Sequence, residues 1–149
     1  MQVQTYLIFN GRCEEAIEFY KKAVGAKVEM MMRFSDNPEP PANAETAPGC
    51  GSMADPNKIM HSCIRIGDTA VMASDGMMDG PAEFKGFSLT LNARDEAEAR
   101  RLFAAVSDGG KVLQPLIKTF FSPAFGVVAD KFGMSWMVVV EQAAAKAAA

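Results

Sequence analysis

Two similar halves make up this sequence, and the repeat limits the fold more than any other feature. In each half a short apolar strand precedes an amphipathic helix, and Tyr6 matches Phe87 at an offset of 81 residues. Glu15, in the first helix, matches Glu96, in the second helix, at the same offset, and Val24 matches Val106 at an offset of 82. This self-similarity predicts the element order β-α-β-β-β twice.

A four-stranded sheet that carries one helix must also bury its other face. Two such sheets that face each other enclose a cleft. The sequence therefore predicts an α+β fold of two half-domains whose curved mixed sheets face a shared cleft. We expect one domain over residues 1–142, with halves at residues 1–78 and 84–142, and an Ala-rich tail at residues 143–149.

The first half contains one clear helix between apolar strands. Apolar residues at positions 13, 16, 17, 20 and 24 form a helical stripe, and Gly25 is placed to end the helix. Strands are predicted at residues 2–9, 27–34, 58–66 and 69–74. Residues 35–57 are rich in proline and predict a long loop, a length that is typical of a lid or a partner contact.

The second half follows the same order. The segment Asp95-x-x-Glu98 resembles a capping box and predicts a helix that ends at Gly109-Gly110. Strands are predicted at residues 87–91, 111–121, 127–129 and 136–140. Between the last two, we expect Asp130 to accept hydrogen bonds from turn amides and Trp136 to be buried in the core.

Composition limits the partners and the location of the protein. A net charge of −3 gives no broad positive field, so nucleic acid and anionic membrane surfaces are poor partners. No apolar run approaches the roughly 20 residues of a membrane-spanning helix, and the N-terminus does not resemble a signal peptide. We expect a cytoplasmic protein. Cys13, Cys50 and Cys63 have no CxxC spacing, which predicts reduced thiols.

His61 and Asp75 are the candidate catalytic residues. His61 is the single histidine, and histidine is the side chain that ordinarily changes charge near neutral pH. It lies on a predicted strand with Cys63 and Arg65 on the same face. Asp75 follows that hairpin and could orient His61 or contact a ligand, although an Asp before Gly also commonly accepts hydrogen bonds from turn amides.

Several segments together resemble the PhnB-like branch of the vicinal oxygen chelate superfamily, which includes glyoxalase I, bleomycin-resistance proteins and extradiol dioxygenases. The matching segments are TYLIFNGRCEEAIEFYKKAVGA at 5–26, IMHSCIRIGDTAVMASDG at 59–76, GFSLTLNARDEAEARRLF at 86–103 and FGVVADKFGMSWMVVV at 125–140. The resemblance implies the two-half fold, a histidine near position 61 and a homodimer.

The resemblance also implies a divalent metal between the sheets, held by residues of the first and last strand of each half. Those positions fall on Thr5, at Gly86 with Ser88 next on the same face, near Ala73–Ser74 and on Met137, none of which is a strong ligand for a divalent metal. We therefore assign no metal ligands, although divalent metal binding through other residues is left open. The predicted contacts of a ligand in the cleft are Thr5, Ser74, Ser88, Phe121 and Met137.

Three functions follow from the resemblance. The first is the binding of a small organic molecule in the cleft without a metal, in a pocket that methionine side chains would make adaptable. The second is a metal-dependent lyase, isomerase or thiol transferase of the glyoxalase type. The third is the demethylubiquinone methyltransferase label of the family, for which Asn10-Gly11-Arg12 is the only turn resembling a nucleotide-binding turn.

Overall fold

The structure is a computed structural model that describes residues 1–38, 55–77 and 80–142. The chain divides into two compact units, Met1–Ala82 and Glu83–Ala149. Each unit contains one four-stranded mixed sheet and one α-helix in the order β-α-β-β-β, which confirms the predicted α+β class and the repeat. Their union into one domain with a cleft between the sheets stays a prediction.

The first unit places its parallel strand pair at one edge of the sheet. The strand order is β1-β4-β3-β2, with β1 parallel to β4 and the other neighbours antiparallel. Its elements are β1 (Thr5–Ile8), α1 (Cys13–Val24), β2 (Lys27–Arg33), one 3-10 turn (Phe34–Asp36), β3 (Ile59–Ile66) and β4 (Thr69–Ser74).

Helix α1 has the predicted bounds, because its ends and its buried face agree with the sequence pattern. Gly25 adopts a left-handed conformation with φ of 68° and donates its N–H to the carbonyl of Tyr20, which ends the helix. Cys13, Ala16 and Ile17 are fully buried against the sheet. Acidic residues in the first turn and basic residues in the last turn complement the helix dipole.

The second unit has the same topology, with strand order β5-β8-β7-β6. Asp95 caps the helix by accepting a hydrogen bond from the Glu98 amide at 2.8 Å, and the Glu98 carboxylate accepts one from the Arg94 amide at 2.9 Å. The Asp95 half of the predicted capping box is therefore present, but the Glu98 carboxylate bonds the amide before the N-cap and not that of Asp95 itself. The elements are β5 (Leu89–Ala93), α2 (Glu96–Ser107), β6 (Lys111–Ile117), β7 (Phe125–Ala129) and β8 (Ser135–Val140).

Asp130 organises the hairpin between β7 and β8, as predicted. Its buried carboxylate accepts hydrogen bonds from the amides of Phe132 and Met134 at 2.9 and 3.0 Å. It also accepts one from Nε1 of Trp136 at 2.9 Å. Phe132 and Trp136 are both buried. One carboxylate thus fixes the turn and orients the largest side chain of the core.

The predicted offset of the repeat was wrong. Helix α1 begins at residue 13 and α2 at residue 96, so the halves are related by 96 − 13 = 83 residues and not 81. The strand expected at residues 87–91 is β5, which begins at Leu89, where pairing with Trp136 begins. The bounds of Thr69–Ser74 agree with the prediction. The observed strands β7 and β8 begin two residues and one residue earlier than predicted. The remaining predicted strands extend beyond the observed strands by one to four residues at their ends.

Most of the long loop lies outside the described residues, and so does the tail at 143–149. The described base of the loop is closed by hydrogen bonds from the Phe34 amide to the Lys58 carbonyl at 3.0 Å and from the Ser35 amide to the Pro56 carbonyl at 2.9 Å. In the described ranges, neither helix is long and apolar enough to cross a membrane. The cytoplasmic location stays a prediction.

Candidate functional site

The first sheet has one face against α1 and one face that no described helix of its unit covers. Leu7, Ser62, Ile64, Val71 and Ala73 lie on the buried face. Side chains alternate along a strand, and residues paired across strands point to the same side, so the next residues of each strand lie on the other face. We call the following residues of that side the open face: Tyr6, Ile8, Met30, Met32, His61, Cys63, Arg65 and Met72.

Tyr6 and His61 form the central polar pair of the open face. The hydroxyl of Tyr6 lies 3.0 Å from Nδ1 of His61, and the two rings stack with centroids 5.6 Å apart and an angle of 27° between their planes. The residues lie on β1 and β3, on either side of β4, so the pair spans the middle of the sheet. Among the described residues, Nε2 of His61 has no hydrogen-bond partner. That nitrogen can donate to or accept from a ligand.

Glu29 forms an ion pair with Arg65 of the open face. Its carboxylate contacts Nε of Arg65 at 2.5 Å and accepts a longer hydrogen bond from the Cys63 thiol at 3.5 Å. The hydrogen bond from Arg65 lowers the pKa of Glu29. Burial and the Glu29 carboxylate raise the pKa of Cys63, which keeps it a thiol. The open face therefore combines an internally compensated ion pair with a neutral thiol.

The two predicted contacts of the first half lie on opposite faces of the sheet, since Ser74 is paired with Ile8 of the open face and Thr5 with buried Val71. Thr5 has the same alternation as Leu7, so it lies on the face toward α1, and Tyr6 takes the open-face position beside it. Ser74 is buried, and its hydroxyl accepts a hydrogen bond from the Gly76 amide at 3.1 Å. Their roles as ligand contacts stay predictions.

The predicted contacts of the second half lie on the corresponding side of its own sheet. Ser88 precedes β5, and its hydroxyl is 2.7 Å from that of Ser135. Met137 pairs with Val127 on β7 and is half-buried. Phe121 packs edge-to-face against Phe120 and Phe125, with centroids 5.1 Å from each. These residues make an apolar surface with a few hydroxyl groups, and their contact with a ligand stays a prediction.

Asp75 stabilises local structure at the end of β4. It is 4% exposed, and its two carboxylate oxygens accept hydrogen bonds from the amides of Cys13 and Ile59, at 2.8 and 2.7 Å. It thus caps the first turn of α1, a position that also suits a negative charge. Burial, followed by the Asp75 charge, raises the pKa of Cys13 to about 12. The hydrogen bonds of Asp75 go to the amides of Cys13 and Ile59 and not to His61, and its catalytic role stays a prediction.

The divalent metal implied by the superfamily does not fit the residues at the expected positions. Thr5 lies on the face toward α1, and the hydroxyls of Ser74 and Ser88 already form hydrogen bonds with protein atoms. Met137 offers a thioether, which suits soft ions. Within residues 1–38, 55–77 and 80–142, no three His, Cys, Asp or Glu side chains are grouped so that they could hold a metal ion.

Sequence reasoning missed Tyr6 and Glu29 as parts of this site. Tyr6 was missed because the expected position on the first strand was assigned to Thr5, and neighbouring residues of a strand lie on opposite faces. Glu29 lies between Val28 and Met30, where the pairing of β2 with β3 is irregular, so alternation alone could not place it beside Arg65. Lys27, and not Glu29, is the residue paired with Arg65, so cross-strand pairing gave no signal for Glu29.

Comparison with solved structures defines the class of fold. A glyoxalase-related enzyme from Fulvimarina pelagi has a TM-score of 0.61 at 18% identity, over 95% of this chain and 88% of that chain. The fosfomycin resistance protein FosX from Mesorhizobium loti has a TM-score of 0.59 at 12% identity, over 96% and 93% of the two chains. The fold is therefore that of the glyoxalase and bleomycin-resistance proteins.

Closer relatives define the family. The family model described as 3-demethylubiquinone-9 3-methyltransferase matches residues 1–139. Protein YjdN of Escherichia coli (strain K12) is 35% identical over 144 residues, which are 95% of this chain and 97% of the relative. The chain belongs to this PhnB-like family, which confirms the resemblance inferred from its sequence.

Two solved structures are similar along nearly their whole length. Protein PA1353 from Pseudomonas aeruginosa is 43% identical with a TM-score of 0.78, over 95% of this chain and 98% of that chain. A putative 3-demethylubiquinone-9 3-methyltransferase, PhnB protein, from Bacillus cereus is 25% identical with a TM-score of 0.73, over 94% and 99%.

Proposed function

We propose that this protein binds a small organic molecule on the open face of the first sheet, with the Tyr6–His61 pair as its polar contact and without a divalent metal. The pair carries the proposal, because a hydrogen bond and a ring stack hold His61 in place and leave Nε2 facing no described partner. Such a nitrogen within an apolar surface is the kind of polar group that orients a ligand in a small-molecule site.

The surroundings of the pair favour a flat and weakly polar ligand. The stacked rings offer an aromatic edge and face, against which aromatic compounds pack favourably. Met30, Met32 and Met72 offer flexible thioethers that adapt to different shapes. Arg65 is already paired with Glu29, so it adds no uncompensated positive charge that would attract a phosphorylated compound. A conjugated or aromatic compound with one hydrogen-bonding group meets these conditions.

Metal-dependent glyoxalase chemistry has less support. The expected ligand positions lack strong donors, and a metal site would need residues such as Glu39 or Glu45, which lie outside the described residues. If the protein does turn over a substrate, His61 is the group on the open face that we expect to move a proton.

Methyl transfer, named by the family description, also has little support from the described residues. Nucleotide-dependent enzymes commonly bind their cofactor where a glycine-rich turn opens a helix. The corresponding turn of this chain is Asn10-Gly11-Arg12. The carboxylate of Asp75 already accepts the hydrogen bond from the first helical amide, that of Cys13. An anionic cofactor group would have to displace a buried carboxylate from this position.

Ligand binding can be tested with a defined panel of aromatic acids, phenols and α-ketoaldehydes, with anilinonaphthalene sulfonate as a fluorescent competitor. His61→Ala should weaken binding about tenfold or more, which corresponds to about 1.4 kcal/mol. Tyr6→Phe keeps the ring and removes the hydroxyl, so it should weaken binding by a smaller factor.

Met31→Leu is the matched control, because Met31 neighbours Met32 on β2 but is paired with buried Ser62 and lies on the opposite face. We expect it to bind as the wild type does. Loss of binding in Met31→Leu with full binding in His61→Ala would place the site elsewhere. The enzyme alternative would be favoured if no panel compound bound without metal but one bound after the addition of zinc, nickel or manganese.

We also propose that the protein is a homodimer. The supporting observation is that β6, an edge strand, exposes about half of the side chains of Val112, Leu113 and Ile117. Exposed apolar edges are normally covered in soluble proteins. Light scattering should give a dimer for the wild type and a monomer for Leu113→Lys combined with Ile117→Lys. A wild-type monomer at micromolar concentration would refute the proposal.

A further inference from the structure

Three sulfur-bearing side chains lie in one row across the first sheet. Met30 on β2 is paired directly with Cys63 on β3, and Cys63 is paired directly with Met72 on β4. Residues paired in this way point to the same side of a sheet, which here is the open face. The thiol is therefore flanked by a thioether on each neighbouring strand.

The spacing of a sheet suits the convergence of these three side chains on one ion. Neighbouring strands lie about 4.8 Å apart, so each methionine starts one strand spacing from the cysteine. Methionine is unbranched and flexible, so both thioethers can lean toward the central sulfur. Met30 is 39% exposed, and Cys63 and Met72 are half-buried, so an ion can reach the row from solvent.

The donor set selects a particular class of ion. Thiolate and thioether sulfurs are soft ligands that favour Cu(I), whereas zinc, manganese and magnesium prefer sites richer in nitrogen, oxygen or additional thiolates. From the shared row and this chemistry, we propose that Met30, Cys63 and Met72 form a binding site for a soft monovalent cation, Cu(I).

Binding would exchange one ion for one proton. The Cys63 thiol loses its proton to solvent as its sulfur bonds to Cu(I), and the two thioethers donate electron pairs without losing any group. Copper stays in the +1 state, so the step needs no oxidant or reductant. The hydrogen bond from the thiol to Glu29 is lost, while the Glu29–Arg65 ion pair remains to balance the carboxylate.

The two proposals share the open face and the thioethers of Met30 and Met72, but they rest on different groups. The organic ligand depends on His61 and Tyr6, whereas Cu(I) depends on the sulfur row. Cys63→Ser should therefore remove Cu(I) binding and leave the binding of panel compounds in place, and His61→Ala should do the reverse. The failure of either proposal can be recognised without the other.

The test is an anaerobic titration of the full chain with Cu(I), in competition with the chromogenic chelator bathocuproine disulfonate. Cys50 lies outside the described residues and would bind Cu(I) through its own thiol, so all proteins carry Cys50→Ser. Met30→Leu and Met72→Leu keep the side-chain volume and remove one sulfur each. Met31→Leu is the matched control, because Met31 is paired with buried Ser62 and lies on the opposite face.

The background protein, which carries only Cys50→Ser, should bind one equivalent of Cu(I). Cys63→Ser should remove binding that competes with the chelator. Met30→Leu and Met72→Leu should each lower the affinity for Cu(I) by about tenfold or more. Met31→Leu should match the background protein. Unchanged affinity in both leucine variants would mean an adventitious thiol contact, and retained binding after Cys63→Ser would overturn the site. The imidazole signal of the single histidine shows that each variant is folded.

Discussion

The replacement of Asp75 by Asn separates a structural role of this carboxylate from a catalytic one. Both oxygens accept backbone hydrogen bonds, from Cys13 at 2.8 Å and Ile59 at 2.7 Å, and the side chain is 4% exposed. An asparagine keeps one accepting oxygen but presents an NH₂ group to the other amide. One buried N–H group therefore loses its partner.

The expected loss of stability follows from these contacts. A hydrogen bond to a charged group contributes about 1.5–3 kcal/mol, and the oxygen that remains becomes a neutral acceptor. We expect Asp75→Asn to lower the free energy of unfolding by about 2–4 kcal/mol. This is a large part of the roughly 5–15 kcal/mol of a typical domain.

Urea unfolding followed by circular dichroism measures this loss, and Asp68→Asn, at an exposed turn, controls for the change in net charge. A difference below about 0.5 kcal/mol between the two variants would refute the structural reading, since surface substitutions fall in that range. If Asp75→Asn were also to lose ligand binding while remaining as stable as Asp68→Asn, Asp75 would belong to the site.

Three further predictions concern buried groups. Burial raises the pKa of Cys13 from 9.0 to about 12, so the thiol ionises at a lower pH in the unfolded chain than in the folded protein. The free energy of unfolding should therefore be constant below pH 9 and fall by up to about 1.4 kcal/mol per pH unit above it. Urea unfolding of Cys13→Ala, measured at pH about 8 and about 10, should lack this slope. Gly76→Ala should cost about 1–3 kcal/mol more than Gly67→Ala, because its Cβ would lie 2.5 Å from Cγ2 of Ile8 whereas Gly67 has open space; equal midpoints in thermal unfolding would contradict this. Asp130→Asn should shift the tryptophan fluorescence and lower stability by about 2–4 kcal/mol, and an unchanged spectrum would argue against its bond to the indole.

The fold was predictable where the signal is local. The bounds of α1 follow from its apolar stripe and from Gly25, and the cap of α2 follows from the spacing of Asp95 and Glu98. The buried turn at Asp130 was also predictable, because Asp and Gly have conformational and hydrogen-bonding preferences that act over a few residues. These features need no knowledge of distant parts of the chain.

The candidate site was harder to predict because it depends on the pairing of strands. His61 was found from its chemistry, but its partner Tyr6 lies 55 residues away and two strands across the sheet. A position assigned one residue too early, as at Thr5, falls on the opposite face of its strand. The sulfur row of Met30, Cys63 and Met72 likewise becomes visible only when the register of three strands is known.

The central claim is that the Tyr6–His61 pair contacts an organic ligand without a divalent metal, and the imidazole signals of His61 test it most directly. Because His61 is the only histidine, its NMR signals are unambiguous. With the tightest-binding panel compound, we expect a saturable shift of these signals that is the same with and without EDTA. A shift that EDTA abolishes, or saturable binding that leaves the His61 signals unmoved, would contradict the account.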